Sequence, residues 1–282
     1  MTKDYKRITV TIKKELLDKV DEKSRESGKS RSNVMDDLLV DSLSLNKVKK
    51  AVILAGGVGK RLRPLTYELP KPLLPVRGKP LMEHTFDLLR KYGITDLYIS
   101  VGYKAKQITD YFGDGKKYGL NIDYIKEKEP LGTAGPLKTL KGRINSPFLL
   151  IWCDILTEID LYDYMNYHFS NPGVATIALS TIDDTSRFGV AAMKGNRILD
   201  FVEKPKLGEE PSNLINAGYV ILEPTIFDYL PRKKMIMIEK DIYPRLAKEG
   251  KLFGYPFEGA WFDTGTHEAY EDVIKKWKGI KN

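Results

Sequence analysis

The sequence has few of the side chains that build disulfides and metal sites. Of its 282 residues, one is a cysteine, Cys153, and three are histidines. A single cysteine excludes an intramolecular disulfide and a cysteine-based zinc site, and three scattered histidines disfavour a histidine-rich metal site. This usage is typical of a reducing compartment, so we expect a cytoplasmic protein.

Long apolar runs and two common phosphate-binding signatures are missing as well. No stretch approaches the ~18 consecutive apolar residues of a membrane span, and the first ten residues lack the apolar core of a secretory signal. Neither the glycine-lysine-serine/threonine end of a P-loop nor a GxGxxG fingerprint is present. The sequence therefore argues against a membrane protein, a P-loop kinase and a dinucleotide-dependent dehydrogenase.

What is present is an ordinary globular composition, with 42% hydrophobic and 30% charged residues. The formal net charge of +8 is spread thinly along the chain and is not gathered in a basic tail. A diffuse positive charge is expected of a protein that handles anionic phosphates, and it assists nucleic-acid binding only where it is locally concentrated.

The most informative stretch is 51–80, AVILAGGVGKRLRPLTYELPKPLLPVRGKP. Its first five residues predict a strand buried on both faces, which leads into the glycine-rich run 56–59 and then Lys60, Arg61 and Arg63. Glycines let a backbone approach a ligand closely and aim its N–H groups at an anion, while cations balance the charge. The pattern favours a phosphate site over a structural turn, and Arg63 has the alternative role of shaping the loop.

This stretch resembles the signature loop of the sugar-phosphate nucleotidyltransferases, which join a nucleoside triphosphate to a sugar 1-phosphate. The resemblance implies an α/β fold over 51–282, with a Rossmann-like, mixed and mostly parallel sheet. Alternating helical and strand patterns after residue 80 independently predict a mostly parallel sheet. The expected helices lie at 83–92, 105–112 and 133–140, and the expected strands at 97–101, 122–125 and 148–152.

A second glycine-rich run, 132–135, lies within KEKEPLGTAGPL. Alone, it fits either a backbone cradle for a base or ribose or a plain turn with a helix start. Beside the first loop it resembles the family's second nucleotide motif, and Glu127 falls where these enzymes read the base edge. The resemblance implies that the nucleotide contacts come from Leu54, Ala55, Gly56, Gly57, Gly59, Lys60, Arg61, Glu127, Gly132 and Thr133.

Two aspartates follow apolar runs, Asp154 after 148–152 and Asp263 within AWFDTGT. A carboxylate at the carboxyl end of a buried strand lies where open α/β sheets place ligand chemistry, and two of them suit Mg²⁺ with a triphosphate. Either could instead be a helix cap or a loop residue, and Asp263 could cap a helix that starts at Glu268. In the family the first aspartate binds Mg²⁺ and usually follows a glycine, a place that Cys153 takes here.

Three short matches lie between the two aspartates: FGV at 188–190, FVEKP at 201–205 and NAG at 216–218. The resemblance implies that Gly189, Glu203, Lys204 and Asn216 bind the sugar phosphate. It also implies catalytic roles for Arg61 on the pyrophosphate side, for Lys71 near the α-phosphate and for Asp154 with the metal.

The first 46 residues have a different pattern. Strict alternation over 7–12 predicts a half-buried strand, a helix is expected at 14–27, and Ser30 is expected to cap a second helix. This order resembles the ribbon-helix-helix fold, with a short linker at 47–50. So small a segment cannot bury an independent core, so we expect a homodimer or a higher even-numbered oligomer paired through residues 1–46.

In the ribbon-helix-helix family the paired strands enter the DNA major groove. The resemblance implies base contacts from Arg7, Thr9 and Thr11 and a phosphate contact at the N-terminus of the Ser30 helix. The alternative is a dimerisation clamp that touches no DNA. The near-neutral charge of the segment and its two threonines weaken the DNA interpretation, but arginine and threonine side chains suit contacts with base edges, so DNA binding is the preferred expectation.

The prediction for the whole chain is an Mg²⁺-dependent nucleotidyltransferase that forms an NDP-sugar and pyrophosphate. Glu127 and the run IEKDIYP at 238–244 favour GTP with mannose 1-phosphate, with UTP or dTTP and glucose 1-phosphate as the alternative. Another class remains open, a transcription regulator whose transferase-like domain only senses a ligand. The retained metal carboxylates favour the enzyme, because a sensor does not need them.

Overall fold

A computed structural model of the protein describes residues 8–42, 48–206 and 208–280. The chain divides into two compact units, Met1–Lys47 and Val48–Asn282. The linker expected at 47–50 needs correcting at its end, because Val48 is 1% exposed in the core of the second unit and Lys50 begins its first strand.

The first unit contains two helices, α1 (Lys14–Ser27) and α2 (Arg31–Ser42). Helix α1 ends because Gly28 has a φ of 66°, a left-handed conformation that glycine adopts without strain. The Ser30 hydroxyl accepts a hydrogen bond from the Asn33 N–H at 3.3 Å, which is the expected cap of α2.

Over its described part, residues 8–12, the strand expected at 7–12 is not formed in the single chain. Residues 8–13 have no regular secondary structure, and Ile8 and Val10 are 71% and 58% exposed. A β-strand forms its hydrogen bonds with a neighbouring strand, and the described residues of the first unit, 8–42, contain none. Thr9 and Thr11 are exposed, whereas Arg7 lies outside the described residues.

The second unit is built on a mixed nine-stranded sheet of order β5-β4-β1-β6-β11-β8-β12-β10-β9, with two small ribbons, β7 with β13 and β2 with β3. Its strands are β1 (Lys50–Ala55), β2 (Pro75–Val76), β3 (Lys79–Pro80), β4 (Asp96–Val101), β5 (Asn121–Lys126), β6 (Phe148–Trp152), β7 (Ile155–Thr157), β8 (Ala175–Thr181), β9 (Gly189–Lys194), β10 (Arg197–Glu203), β11 (Leu214–Leu222), β12 (Leu252–Pro256) and β13 (Trp261–Asp263).

Helices connect these strands. They are α3 (Leu65–Glu68), α4 (Leu81–Lys91), α5 (Ala105–Phe112), α6 (Leu161–Ser170), α7 (Ile238–Asp241), α8 (Tyr243–Lys248) and α9 (His267–Lys276). Short 3₁₀ helices span Lys60–Leu62, Lys71–Leu73, Lys116–Tyr118, Gly135–Leu140 and Pro224–Tyr229. No helix in the described part of the chain is long and apolar enough to cross a bilayer.

The central strands explain where a ligand can bind. Strand β1 pairs in parallel with β4 and β6, and its middle residues Ala51, Val52 and Ile53 are fully buried. A strand covered on both faces needs such a continuous apolar run. Because Leu54 pairs with Trp152, the glycine-rich run after β1 and the turn at Cys153-Asp154 after β6 lie at the same edge of the sheet.

The helix expected at 133–140 begins later, as a 3₁₀ helix at Gly135. Gly132 has a φ of 78°, and the Ala134 N–H donates to the Ile236 carbonyl at 2.9 Å instead of entering a helix. A Cβ at position 132 would also collide with Ile236, so only glycine fits this turn.

Candidate active site

The first glycine-rich run is held from one side by Thr66. The Thr66 hydroxyl donates to the Gly59 carbonyl at 2.9 Å, and Gly59 has a φ of 65°. A Cβ at Gly59 would lie 2.8 Å from Thr66 Cγ2, and a Cβ at Gly56 would lie 2.5 Å from Glu127 Oε1. Position 59 therefore requires glycine, whereas a side chain at position 56 would displace the Glu127 carboxylate.

Tyr103, which the sequence did not point to, ties the two ends of this loop together. Its N–H donates to the Gly56 carbonyl at 3.2 Å, and its hydroxyl donates to the Thr66 carbonyl at 2.8 Å. Arg63 stacks over the Tyr67 ring at 5.0 Å, which supports its alternative role in shaping the loop.

Lys71 and Asp154 form an ion pair at the end of β6. The Lys71 Nζ lies 2.6 Å from Asp154 Oδ2, and Lys71 is only 9% exposed. Burial alone would raise the pKa of Asp154, but the charge and hydrogen bond of Lys71 outweigh it and hold that pKa below its usual value. Asp154 is therefore a stable anion beside a fixed cation.

Asp263 lies next to this pair because β13 and β7 are antiparallel partners, with Asp263 opposite Ile155. The Thr264 N–H and hydroxyl both donate to the Asp154 carbonyl at 2.9 Å, which fastens the two segments together. Burial first, and then the charge of Asp154, raise the pKa of Asp263. Helix α9 is capped by Thr266, whose side chain accepts from the Ala269 N–H, so Asp263 is not its cap.

Two cations approach Asp263. Arg187 Nη2 lies 3.4 Å from Asp263 Oδ2 and is 37% exposed. A Cβ at Gly265 would lie 2.8 Å from Asp263 Oδ1 and 3.0 Å from Arg61 Nη2, so Arg61 also reaches this place. Arg187 and Gly265 were not predicted, although Arg187 directly precedes the FGV match.

The two aspartates fit a magnesium ion in chemistry and number. Both offer carboxylate oxygens, and the mutual repulsion that raises the pKa of Asp263 is relieved by a bound cation. Within the described ranges no group of three or more histidines, cysteines, aspartates and glutamates could hold a metal. Mg²⁺ is commonly held by one or two carboxylates, with waters and substrate phosphates completing its shell.

A cavity of about 190 Å³ opens beside the aspartates. It brings together eight of the predicted residues, Arg61, Thr133, Asp154, Gly189, Glu203, Lys204, Asn216 and Asp263. Its wall also includes Trp152, Arg187, Met237 and Glu239, which were not predicted to bind ligand. All four residues implied for the sugar phosphate lie here, whereas most of those implied for the nucleotide do not.

Lys204 has a strained backbone at this cavity. Its φ of 52° is unusual for a residue with a side chain, and its N–H donates to the Phe188 carbonyl at 3.0 Å. Its Nζ lies 3.3 Å from Glu203 Oε1. At Gly189 a Cβ would collide with Phe201 and lie 2.9 Å from Glu203 Oε2, so the glycine keeps this corner open.

Asn216 stands at a bulge in β11. The pairing with β8 shifts register between Asn216 and Val220, and the Gly218 N–H donates to Asn216 Oδ1 at 3.0 Å. Gly218 has a φ of 77°, and a Cβ there would lie 2.6 Å from Ile155 Cγ1. The bulge thus packs against the turn that carries Asp154.

Glu127 lies under the glycine-rich run, with both carboxylate oxygens engaged. Oε1 accepts from the Ser100 hydroxyl at 2.7 Å, and Oε2 accepts from the Leu131 N–H at 3.1 Å. Each carboxylate oxygen can accept a second hydrogen bond, so this arrangement orients Glu127 without saturating it.

The remaining nucleotide residues frame the loop and do not line the cavity. Leu54 and Ala55 end β1, Gly57 and Lys60 are exposed, and Gly132 forms its own turn. Thr133 does line the cavity, but its hydroxyl is engaged by protein groups, since it donates to Glu239 Oε2 at 2.6 Å and accepts from the Ile238 N–H at 2.9 Å.

Comparison with known families covers both units. A model described as nucleotidyl transferase matches residues 50–278. The chain belongs to this family. A second model, the ribbon-helix-helix protein of the copG family, matches residues 6–39.

Two similar curated proteins are both named as transferases of a guanylyl group to mannose 1-phosphate. A probable mannose-1-phosphate guanylyltransferase 2 from Oryza sativa is 36% identical over 228 residues, covering 78% of this chain and 62% of that protein. The mannose-1-phosphate guanyltransferase of Saccharomyces cerevisiae is 38% identical, covering 77% and 61%. The chain thus spans a little over three fifths of the curated relatives that it matches.

Solved structures of this fold have more varied names. A putative glucose-1-phosphate thymidylyltransferase from Bacillus anthracis superposes with a TM-score of 0.76 at 29% identity, covering 83% of this chain and 96% of that one. A UDP-glucose pyrophosphorylase in complex with UDP-glucose gives a TM-score of 0.70 at 25% identity, covering 82% and 98%.

Proposed function

We propose that this protein transfers a nucleotidyl group from a nucleoside triphosphate to a sugar 1-phosphate. The observation that carries the proposal is the meeting of Asp154, which is paired with Lys71, and Asp263 at a cavity that also contains Glu203 and Lys204. Family membership over 50–278 supports the same reaction class. A regulator that only senses a ligand would not need the paired aspartates.

In this reaction an oxygen of the sugar phosphate attacks the α-phosphorus of the triphosphate. A new P–O bond forms as the bond between the α-phosphorus and its bridging oxygen breaks, and pyrophosphate leaves with the electron pair. Phosphoryl chemistry of this kind depends on positioning and charge neutralisation more than on a protein base.

The chain's own residues supply both requirements. The N–H groups of the run 56–59 and Arg61 bind the triphosphate and the pyrophosphate that leaves. Lys71, held by Asp154, neutralises charge near the α-phosphate, and Lys204 holds the sugar phosphate in line. Asp154 and Asp263 would hold Mg²⁺, which supplies further neutralisation of the phosphate oxygens when it is bound.

For the substrates we propose GTP with mannose 1-phosphate. The names of the similar curated proteins support this choice, as does Glu127, an oriented acceptor beside the glycine-rich run. UTP or dTTP with glucose 1-phosphate is the alternative that the structural neighbours support.

For the first unit we propose pairing with a second copy, and DNA binding through Arg7, Thr9, Thr11 and the Ser30 helix. The match to the ribbon-helix-helix model supports it, as does the exposure of Ile8 and Val10 in the single chain. A gel shift with the DNA upstream of its own gene tests the second part, and the affinity should fall steeply as salt rises. If the protein forms dimers but shifts no DNA, assembly would be the sole role of the first unit.

The decisive experiment is a pyrophosphate-release screen of sugar 1-phosphates against the nucleoside triphosphates, with and without Mg²⁺. One pair with turnover that EDTA abolishes supports the proposal and identifies both substrates. Ligand binding without pyrophosphate release from any pair favours the sensor.

A further inference from the structure

Glu239 is a buried carboxyl group without a role in the chemistry above. It lies in α7 with 6% of its surface exposed. The nearby cations pair with other carboxylates: Lys71 with Asp154, Arg187 with Asp263 and Lys204 with Glu203. No lysine or arginine in the described part of the chain forms an ion pair with Glu239. Burying a carboxyl group without a cation is costly, so its presence points to a function.

The position of Glu239 suggests which substrate it faces. It lines the same cavity as Gly189, Glu203, Lys204 and Asn216, the residues of the sugar-phosphate half. Burial, and to a smaller extent the charge of Glu203, raise the pKa of Glu239, while the charge of Lys204 in the same cavity lowers it without forming an ion pair. Besides the two aspartates, the cavity therefore has two carboxyl groups, Glu203 and Glu239, in the half that we assign to the sugar phosphate.

The Thr133 hydroxyl fixes the orientation of this carboxyl group. It accepts from the Ile238 N–H at 2.9 Å and donates to Glu239 Oε2 at 2.6 Å. A side chain already held by such a chain of hydrogen bonds loses little conformational entropy when a ligand binds.

We propose that Glu239 is a second acceptor for sugar hydroxyl groups, which with Glu203 makes the site select hexose 1-phosphates with free hydroxyls at two ring positions. The inference rests on the proposed function. An ionised carboxylate only accepts hydrogen bonds, so each of the two needs an O–H donor from the ligand. A deoxy or acylated ring position leaves one buried acceptor unpaired and is rejected.

The test uses the full chain, Mg²⁺, the best nucleoside triphosphate and a series of monodeoxy analogues of the best sugar 1-phosphate. Glu239→Gln keeps an oxygen that can accept from Thr133 but replaces the other oxygen with a donor. We expect its KM for the parent sugar 1-phosphate to rise about 10- to 100-fold, the value of a hydrogen bond to a charged group, with a much smaller change in the KM for the triphosphate.

The analogues make the test specific. The wild type should use one monodeoxy analogue less well than the parent sugar 1-phosphate, whereas Glu239→Gln should use the two about equally. The analogue lacks the donor of one hydrogen bond, and the variant lacks the acceptor of the same hydrogen bond. Glu223→Gln is the matched control, since Glu223 is a partly buried carboxylate bonded to His168 and away from the cavity. It should retain wild-type discrimination.

Other results overturn the inference. If Glu239→Gln discriminates among the analogues as the wild type does, Glu239 only fastens Thr133, and Thr133→Val should then reproduce its effects. If Glu239→Gln does not fold, Glu239→Asp replaces it, because the shorter side chain moves the carboxylate away from the ligand. This variant must then also fail to distinguish the monodeoxy analogue from the parent sugar 1-phosphate. Absence of turnover by the wild type with every sugar 1-phosphate is a distinct result, which refutes the proposed function itself.

Discussion

Lys71 Nζ lies 2.6 Å from Asp154 Oδ2, although 83 positions separate the two residues in the chain. This contact draws the segment after the glycine-rich run onto the end of β6. Asp263 lies in the same site and forms an ion pair with the partly exposed Arg187, at the longer distance of 3.4 Å. The two aspartates consequently have opposite pKa shifts, lowered for Asp154 and raised for Asp263.

The opposite pKa shifts of Asp154 and Asp263 predict that replacing each by asparagine will have opposite effects on stability. Asp154→Asn should lower the free energy of unfolding by about 2 kcal/mol, because it leaves the buried Lys71 ammonium unpaired. Asp263→Asn should leave stability unchanged or raise it, because it removes a charge that the folded site disfavours. Both variants should lose most pyrophosphate release at saturating Mg²⁺, by about 10²-fold or more.

Urea unfolding without metal, paired with the activity assay, checks both halves of this prediction. The double variant Lys71→Met/Asp154→Asn should recover part of the lost stability without recovering activity. Near wild-type turnover in either single variant would show that its aspartate is not a metal ligand.

Local patterns in the sequence predicted the bounds of several helices and strands correctly. The helices at 14–27 and 105–112 have the bounds that the sequence predicts, because their apolar spacing and the glycines that follow them, Gly28 and Gly113, act within the segment. The strand at 148–152 also has its predicted bounds, because its apolar run is continuous, although its hydrogen bonds are made with β1 and β11. The strand at 7–12 depends on a partner, and the start of the 133–140 helix depends on Ile236, more than 100 positions away. Neither dependence can be seen in a local pattern.

The same distinction applies to the site. Family motifs placed eight predicted residues at one cavity. Tyr103, Arg187 and Glu239 were missed because their roles arise from contacts between distant segments, although Glu239 stands within IEKDIYP and Arg187 precedes FGV. For these residues the residue type alone fits a solvated loop or a helix surface equally well.

Tyr103 should affect triphosphate binding without touching the chemistry. Tyr103→Phe removes the hydrogen bond to the Thr66 carbonyl and leaves the N–H bond to Gly56. Because one neutral hydrogen bond contributes about 0.5–1.5 kcal/mol, we expect the KM for the triphosphate to rise about 2- to 10-fold, with kcat changed less. Steady-state kinetics with varied triphosphate measures this split.

Tyr124→Phe is the control for Tyr103→Phe. It deletes a comparable bond, from the Tyr124 hydroxyl to the Gly113 carbonyl at 2.8 Å, on the same sheet but away from the loop. Equal effects of the two substitutions would show that Tyr103 contributes to stability alone.

His84 should make stability depend on pH. Its Nδ1 accepts from the Trp277 indole N–H at 3.0 Å, and its Nε2 donates to the Val76 carbonyl at 2.9 Å, so it is neutral in the fold. Burial lowers the pKa of His84 below its usual value of 6.5. The unfolded chain therefore takes up a proton first, and stability present above pH ~6.5 is lost as the pH falls, by up to about 1.4 kcal/mol per pH unit.

Chemical unfolding between pH 7.5 and 5 measures this loss. His84→Gln should be less stable at pH 7.5 but should lack this part of the decline. A decline that persists unchanged in His84→Gln would assign it to other groups.

The first unit should control assembly. After residues 1–47 are deleted, the number of chains per particle measured by light scattering should halve. The remaining second unit, which begins at Val48, should stay active. Val10→Glu should do the same without a deletion, because Val10 is 58% exposed in the single chain and acquires a neighbour only by pairing. Thr11→Glu, on the other side of the alternation, should leave the mass unchanged.

The last prediction concerns the base. Glu127 is oriented by Ser100 and Leu131, and each of its oxygens retains capacity for one more donor. Guanine presents N1–H and N2–H₂ side by side, which a carboxylate can accept as a bidentate pair. Thymine and uracil present a single N3–H between two acceptor oxygens, and cytosine and adenine present an amino group without a ring N–H. We therefore predict a preference for guanine.

Comparison of kcat/KM for GTP, ITP and UTP measures this preference. ITP lacks only the N2 amino group, so it should be used less well than GTP by about 1–3 kcal/mol in transition-state free energy, the value of one lost partner. Glu127→Gln should reduce the difference between GTP and ITP, and Ser100→Ala should reduce it less, since Leu131 still orients the carboxylate. Equal use of ITP and GTP by the wild type would mean that Glu127 supports the loop at Gly56 and does not read the base.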